Sequence, residues 1–155
     1  MPVENSIAIS LTSSRQTLGL AESCTGGRLS DRLTNIPGSS NFLTGGIVAY
    51  SNALKTRLLG VSPATLKKYG AVSAEVAMAM ARGVRRKIET TYGVGITGIA
   101  GPSGGSKTKP VGLVYIAVSS VHETICLKCL FTGTRTRIKD QAADQALHLL
   151  KDVLE

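Results

Sequence analysis

The chain has 155 residues, 43% of them hydrophobic and 18% charged, which excludes intrinsic disorder and provides enough apolar surface for a single core. Its 18 Lys+Arg against 10 Asp+Glu leave a formal charge of +8, yet with no Trp and only 4% aromatic residues it lacks the basic stripe interleaved with aromatics that nucleic-acid binding by base stacking uses. No apolar run approaches the roughly 20 residues that span a bilayer, residues 1–19 carry Glu4, Asn5 and several hydroxyls where a signal sequence would be apolar, and three cysteines are too few for a disulfide scaffold, so the expectation is a soluble cytoplasmic protein that enters no membrane.

Hydrophobic periodicity predicts the elements in turn. Thr17 to Ala21 reads as a short strand, and Glu22-Ser23-Cys24-Thr25-Gly26-Gly27 leads from it into a helix that starts near Gly26 or Gly27 and reaches Leu33. Asn35-Ile36-Pro37-Gly38 breaks that helix. Gly46 to Tyr50 is the next strand, followed by short helices at Ala53–Leu59 and Pro63–Tyr69. Ser73 is suited to cap a longer helix whose apolar positions Val76, Ala77, Met80, Ala81, Val84 and Ile88 recur every three or four residues. Gly93 to Ile99 and Val111 to Val118 are runs of small and β-branched residues without alternation, as in strands covered on both faces. Ile125 to Phe131, interrupted by Lys128, belongs nearer an edge and pairs with its predecessor as a hairpin. A helix through Ile138, Ala142, Ala146, Leu149, Leu150 and Val153 ends the chain. The alternation predicts an α/β layered domain with helices on both faces of a mixed, mostly parallel sheet.

Several motif matches carry no chemistry. Gly93-x-Gly95-x-x-Gly98 lies inside a strand and no acidic residue occurs between Glu89 and Glu123, so a dinucleotide site is excluded. Cys126-x-x-Cys129 sits on a strand, where i and i+3 point to opposite faces, so the sulfurs read as buried structural thiols. Arg82, Arg85, Arg86 and Lys87 cluster on the long helix and read as its solvated face. His122 and His148 are the only histidines, which disfavours a Ser-His-Asp triad or a His-rich zinc site.

Three segments remain. Glu22 to Gly27 sets Ser23, Cys24 and Thr25 between a strand and a helix start, where glycines allow a sharp turn and free N–H groups suit a phosphate or an oxyanion. The same residues also suit a helix cap followed by close packing. Gly45 to Lys55 ends a strand at Tyr50 and brings Lys55 into the next helix; a lysine can replace an absent histidine as base if burial lowers its pKa, though on spacing it is equally a surface lysine. Thr97 to Lys107 is a glycine-rich loop after a buried strand, able to cradle an anion or simply to be flexible, and it lacks the Gly-Lys-Ser/Thr ending of a P-loop.

Taken together, AESCTGG, PGSSNFLTGGIVAYSNALKTRLLGV, GAVSAEVAMAMA, TGIAGPSGGSKTKPVGLVYIA and FTGTRTRIKDQAADQAL resemble the C-terminal domain of the CinA (competence/damage-inducible) family over residues 18 to 150. The resemblance implies a three-layer α/β/α domain spanning 1–155, assembled as a homo-oligomer. It also implies an amidohydrolase that converts nicotinamide mononucleotide to nicotinate mononucleotide and ammonia without metal or cofactor. By the same resemblance Ser23 is the nucleophile, Lys55 its base and Tyr50 a hydrogen-bonding partner of the pair. Thr97 and Gly98 line the site, Arg135 contacts the nucleotide, and Thr25, Gly26, Gly27 and Gly101 belong to the substrate-binding surface. Where the family often carries Gly-Asp-Arg and then Ile-Arg, this chain has Gly133-Thr134-Arg135 and Ile138-Lys139. A catalytically silent ligand-binding or regulatory module is the alternative the family name suggests.

Overall fold

A computed structural model describes all residues, Met1–Glu155. A five-stranded sheet forms its centre in the order β2-β1-β3-β4-β5, built from β1 (Leu18–Glu22), β2 (Leu43–Val48), β3 (Tyr92–Gly98), β4 (Leu113–Ser119) and β5 (Thr124–Leu130). β1 runs parallel to both β2 and β3, whereas β4 runs antiparallel to both its neighbours, β3 and β5. The sheet is therefore mixed, with its parallel part around β1. The Ser119–Thr124 turn closes the predicted hairpin, and the Lys128-bearing strand is an edge strand as expected.

The helices are α1 (Val3–Ser14), α2 (Arg28–Thr34), α3 (Asn52–Leu59), α4 (Pro63–Tyr69), α5 (Ala74–Lys87) and α6 (Arg135–Leu154). Alternate residues of the strands distribute them between two layers. Leu18 and Leu20 of β1 and Val94 and Ile96 of β3 pack with Ile7 and Leu11 of α1, Leu29 and Leu33 of α2, and Ile138, Ala142 and Ala146 of α6. On the other face Ala21 meets Leu59 of α3 and Val76, Met80 and Val84 of α5. That face of β3 is nearly side-chain-free: a Cβ on Gly93 or Gly95 would run into the carbonyl oxygens of Ala81 and Ala77. The first two glycines of the G-x-G-x-x-G match are thus explained by close approach of α5 to the sheet, and the third, Gly98, by close approach of Leu113 and Val114. Cys126 packs on the α5 side and Cys129 on the opposite side, so the pair is divided by the sheet as predicted. Both are half-buried rather than buried.

α1 has no counterpart among the expected elements. Val3, Ile7 and Leu11 recur at i,i+4, but the serines and threonines between them mask the stripe. β2 begins earlier than expected and ends at Val48, because its pairing with β1 starts at Leu43 and Tyr50 already belongs to the turn before the Ser51 cap of α3. α2 begins at Arg28, since Gly26 and Gly27 have left-handed φ values of 62° and 109°. Ser73 caps α5 as predicted, accepting from the Val76 N–H at 3.3 Å. No helix is long and apolar enough to cross a membrane.

α3 is pressed onto α5 at Gly83, where an added Cβ would collide with the Leu59 carbonyl oxygen. Gly83→Ala is expected to destabilise the fold by roughly 2 kcal/mol or more, since main chain cannot yield as a flexible side chain does. Thermal unfolding followed by circular dichroism measures it, and an unchanged midpoint would show that the two helices are free to separate.

Candidate active site

The chain passes from β1 outward to β2 and then crosses over to β3 on the other side of β1. This reversal at the carboxyl end of β1 opens a crevice, the usual ligand position in sheets of this kind. Ser23 follows β1, Tyr50 follows β2, and Thr97 and Gly98 end β3. A cleft of about 310 Å³ forms there, lined by Ser23, Cys24, Tyr50, Asn52, Lys55, Thr97, Gly98 and Arg135, by Ala71 and Val72, and by Ile99, Ala100, Gly101, Ser103 and Gly104 of the glycine-rich loop.

Lys55 Nζ lies 3.0 Å from Ser23 Oγ and donates to the main-chain carbonyl oxygen of Tyr50, also at 3.0 Å. Ser51 caps α3 by accepting from the Leu54 N–H, which fixes the helix start and turns Lys55 inward, where it is 2% exposed. None of the ion pairs includes Lys55. Burial lowers its pKa from the ordinary 10.5, because a dry site disfavours the ammonium form. A neutral amine that gives one hydrogen to Tyr50 can accept the Ser23 proton with its lone pair. Tyr50, a residue 60% exposed, therefore partners the pair through its backbone, while its ring reaches elsewhere.

Arg135, the first residue of α6, donates from Nη2 to the Tyr50 hydroxyl at 3.0 Å and from Nη1 to the Gly101 carbonyl. It bridges the β2 turn and the glycine loop across the cleft mouth. Thr97 donates its hydroxyl to the Ala71 carbonyl at 2.9 Å and so ties β3 to the segment before α5. Cys24, next to the nucleophile candidate, is buried, and burial pushes its thiol up to about 11. It is a poor thiolate source at neutral pH.

Thr25, Gly26 and Gly27 lie apart from the other expected binding residues. None of them lines the cleft. The Thr25 hydroxyl donates at 2.7 Å to Glu22 Oε1. Glu22, which sequence reasoning left without a role, is wholly buried and also accepts from the N–H groups of Gly27, Leu29 and Ser30. The start of α2 is therefore occupied by an internal anion, and a substrate phosphate has no place there. Lys139, one turn along α6 from Arg135, would lie 3.5 Å from a Cβ added at Gly26. Asn52, which no motif singled out, also lines the cleft, as do Cys24 of the serine turn and Ser103 of the glycine-rich loop, because the sheet topology brings these segments to the same edge. No group of three or more His, Cys, Asp or Glu side chains is placed to hold a metal ion.

A family model described as the CinA C-terminal domain matches residues 1–154. The chain belongs to the CinA C-terminal domain family. A CinA-like protein of Acidobacterium capsulatum is 56% identical over 135 residues, covering 87% of this chain and 33% of that protein. A putative competence-damage inducible protein of Moorella thermoacetica is 56% identical over 134 residues, 86% of this chain and 32% of that protein. The chain thus spans about a third of the length of the curated relatives it matches. Among solved structures, competence/damage inducible protein CihA of Agrobacterium tumefaciens is 35% identical with a TM-score of 0.94, covering 99% of this chain and 96% of that one. A competence or damage-inducible protein of Enterobacter asburiae is 33% identical with a TM-score of 0.95, covering 99% and 96%. The α/β architecture of the CinA domain is common to them and to this chain.

Proposed function

We propose that the CinA domain described here is an amidohydrolase that converts nicotinamide mononucleotide to nicotinate mononucleotide and ammonia. The observation that carries the reading is the 3.0 Å contact between Ser23 Oγ and the buried Lys55 amine within the cleft. A surface lysine or a helix cap needs neither the burial nor the pairing, and a ligand-binding module has no use for a base beside a hydroxyl.

In this reading Lys55 takes the proton as Ser23 Oγ attacks the carboxamide carbon. The main-chain N–H of Cys24, a residue that lines the cleft and whose N–H has no main-chain acceptor, is available to the oxyanion. The ammonium of Lys55 returns its proton to the departing nitrogen, ammonia leaves, and a nicotinoyl ester of Ser23 remains. Water, deprotonated by the same amine, cleaves that ester and releases the carboxylate. The phosphate end of the nucleotide is read by Arg135, whose guanidinium keeps donors free beyond those given to Tyr50 and Gly101. With Glu22 at the start of α2, the phosphate site moves from Gly26-Gly27 to this side of the cleft.

Purified protein should release one ammonia per nicotinate mononucleotide formed, read by a coupled ammonia assay and chromatography of the nucleotide. Absence of turnover would favour the silent binding module. Arg135→Ala should raise KM roughly tenfold or more while kcat stays within about twofold, as loss of a ground-state contact does. An unchanged KM would remove Arg135 from nucleotide recognition.

A further inference from the structure

We infer that Glu22 is the positioning residue of the nucleophile turn, holding Ser23 and the neighbouring Cys24 N–H in reacting geometry through a buried carboxylate. The inference rests on the Ser23 assignment made above and adds a residue with no contact to the cleft.

Glu22 is the last residue of β1 and is 0% exposed. A charge so placed is costly unless donors surround it. Five do. Oε1 accepts from the Thr25 hydroxyl at 2.7 Å, the Gly27 N–H at 3.2 Å and the Leu29 N–H at 3.0 Å. Oε2 accepts from the Ser30 N–H at 3.0 Å and the Ser30 hydroxyl at 2.6 Å. The cap position of α2 is Gly27, which has no side chain, so the carboxylate does the capping from the strand that precedes the turn.

The span of these bonds distinguishes Glu22 from an ordinary cap. They begin at residue 22 and end at residue 30, so they enclose Ser23, Cys24, Thr25 and Gly26. Within that span the main chain makes only two turn bonds of its own, from the Gly26 N–H to the Ser23 carbonyl at 3.1 Å and from the Arg28 N–H to the Thr25 carbonyl at 3.2 Å, against five bonds to the carboxylate. Its conformation is therefore set chiefly by the carboxylate. The arrangement also depends on charge. A glutamine would turn an NH₂ group toward either the Thr25, Gly27 and Leu29 donors or the two Ser30 donors, setting donor against donor. Ser30 is itself backed by Gly46 of β2, where an added Cβ would come within 2.7 Å of its hydroxyl. The network thus reaches from the adjacent strand to the nucleophile.

The test reads Ser23 reactivity without using the nucleotide. A fluorophosphonate probe reacts with an activated serine: the P–O bond to Oγ forms, fluoride leaves, and the hydroxyl proton passes to the Lys55 amine. Intact-mass spectrometry gives the rate of labelling, with the Ser23→Ala variant as the unlabelled control. Glu22→Gln should be labelled about tenfold or more slowly, and kcat should fall while KM stays within twofold, as expected when transition-state donors are displaced. The pH at half-maximal labelling should not move, because Lys55 is untouched. Thr25→Val and Ser30→Ala each remove one hydroxyl donor and should slow labelling several-fold, which keeps the test decisive should Glu22→Gln fail to fold. A purely structural role would lower the melting temperature and leave the labelling rate of folded protein unchanged. That result in these variants, with the unsubstituted chain labelled normally, would overturn the inference alone. Failure of the unsubstituted chain to be labelled at Ser23 would overturn it together with the nucleophile assignment.

Discussion

Ser23→Ala should reduce ammonia release by about three orders of magnitude or more, because the covalent route then has no acceptor for the nicotinoyl group and members of a nucleophile–base pair act as a unit. The Lys55 amine would face a methyl group where the hydroxyl now lies 3.0 Å away. KM should change little, since the hydroxyl contributes mainly to the reacting state. Cys24 provides the internal control. Its thiol is adjacent and lines the same cleft, but burial holds it up to about 11, so Cys24→Ser should retain most activity. Steady-state rates of the two variants side by side decide the matter: activity kept in Ser23→Ala and lost in Cys24→Ser would transfer the nucleophile's role to the thiol.

Lys55→Met should be comparably inactive and yet more stable. Its methylene stem is nearly matched in volume, while the group that would accept the Ser23 proton is gone. In the unsubstituted protein the active form is the neutral amine, so kcat/KM should rise with pH through the lowered Lys55 pKa and level off below the ordinary lysine value of 10.5. The stability effect has the same origin. Because burial lowers the folded-state pKa, the unfolded chain binds more protons between that value and 10.5. Stability of the native protein should therefore increase with pH across that window, and below it the fold carries the constant penalty of a buried ammonium. Methionine removes the penalty, and a melting temperature raised by a few degrees near neutral pH is expected, a trade of stability against activity found at many reactive sites. Scanning calorimetry over a pH series with both proteins tests this. A Lys55→Met variant whose melting temperature falls at every pH would mean that the amine's bonds to Ser23 and the Tyr50 carbonyl outweigh its desolvation.

The fold was more legible in the sequence than the site. Long apolar stripes such as Val76 to Val84 and unalternating runs such as Val94 to Ile96 report their burial directly, and the α5 helix and β3 strand follow from them. α1 escaped because Ile7 and Leu11 are its only buried residues, while five serines and threonines and the exposed Ile9 blur the stripe. Ser23 and Lys55 are 32 positions apart, and what joins them is the parallel pairing of β1 with β2, a relation no local pattern expresses. Their spacing alone left a helix cap and a surface lysine open, and the family resemblance supplied the roles. Glu22 escaped both kinds of reading. Its donors are mostly main-chain N–H groups, which every sequence possesses, and only the folded turn directs them at one carboxylate. The clue that was present is a helix that opens on Gly27, with no capping side chain of its own and an acidic residue shortly before it.

The most direct test of the hydrolytic account is rapid acid quenching of the enzyme during turnover of nicotinamide mononucleotide, followed by peptide mapping. The account predicts an ester of the nicotinoyl nucleotide on the peptide that contains Ser23, on the Ser23 oxygen. An acyl group carried by Cys24, or ammonia produced while every Ser23 peptide stays unmodified, would contradict it.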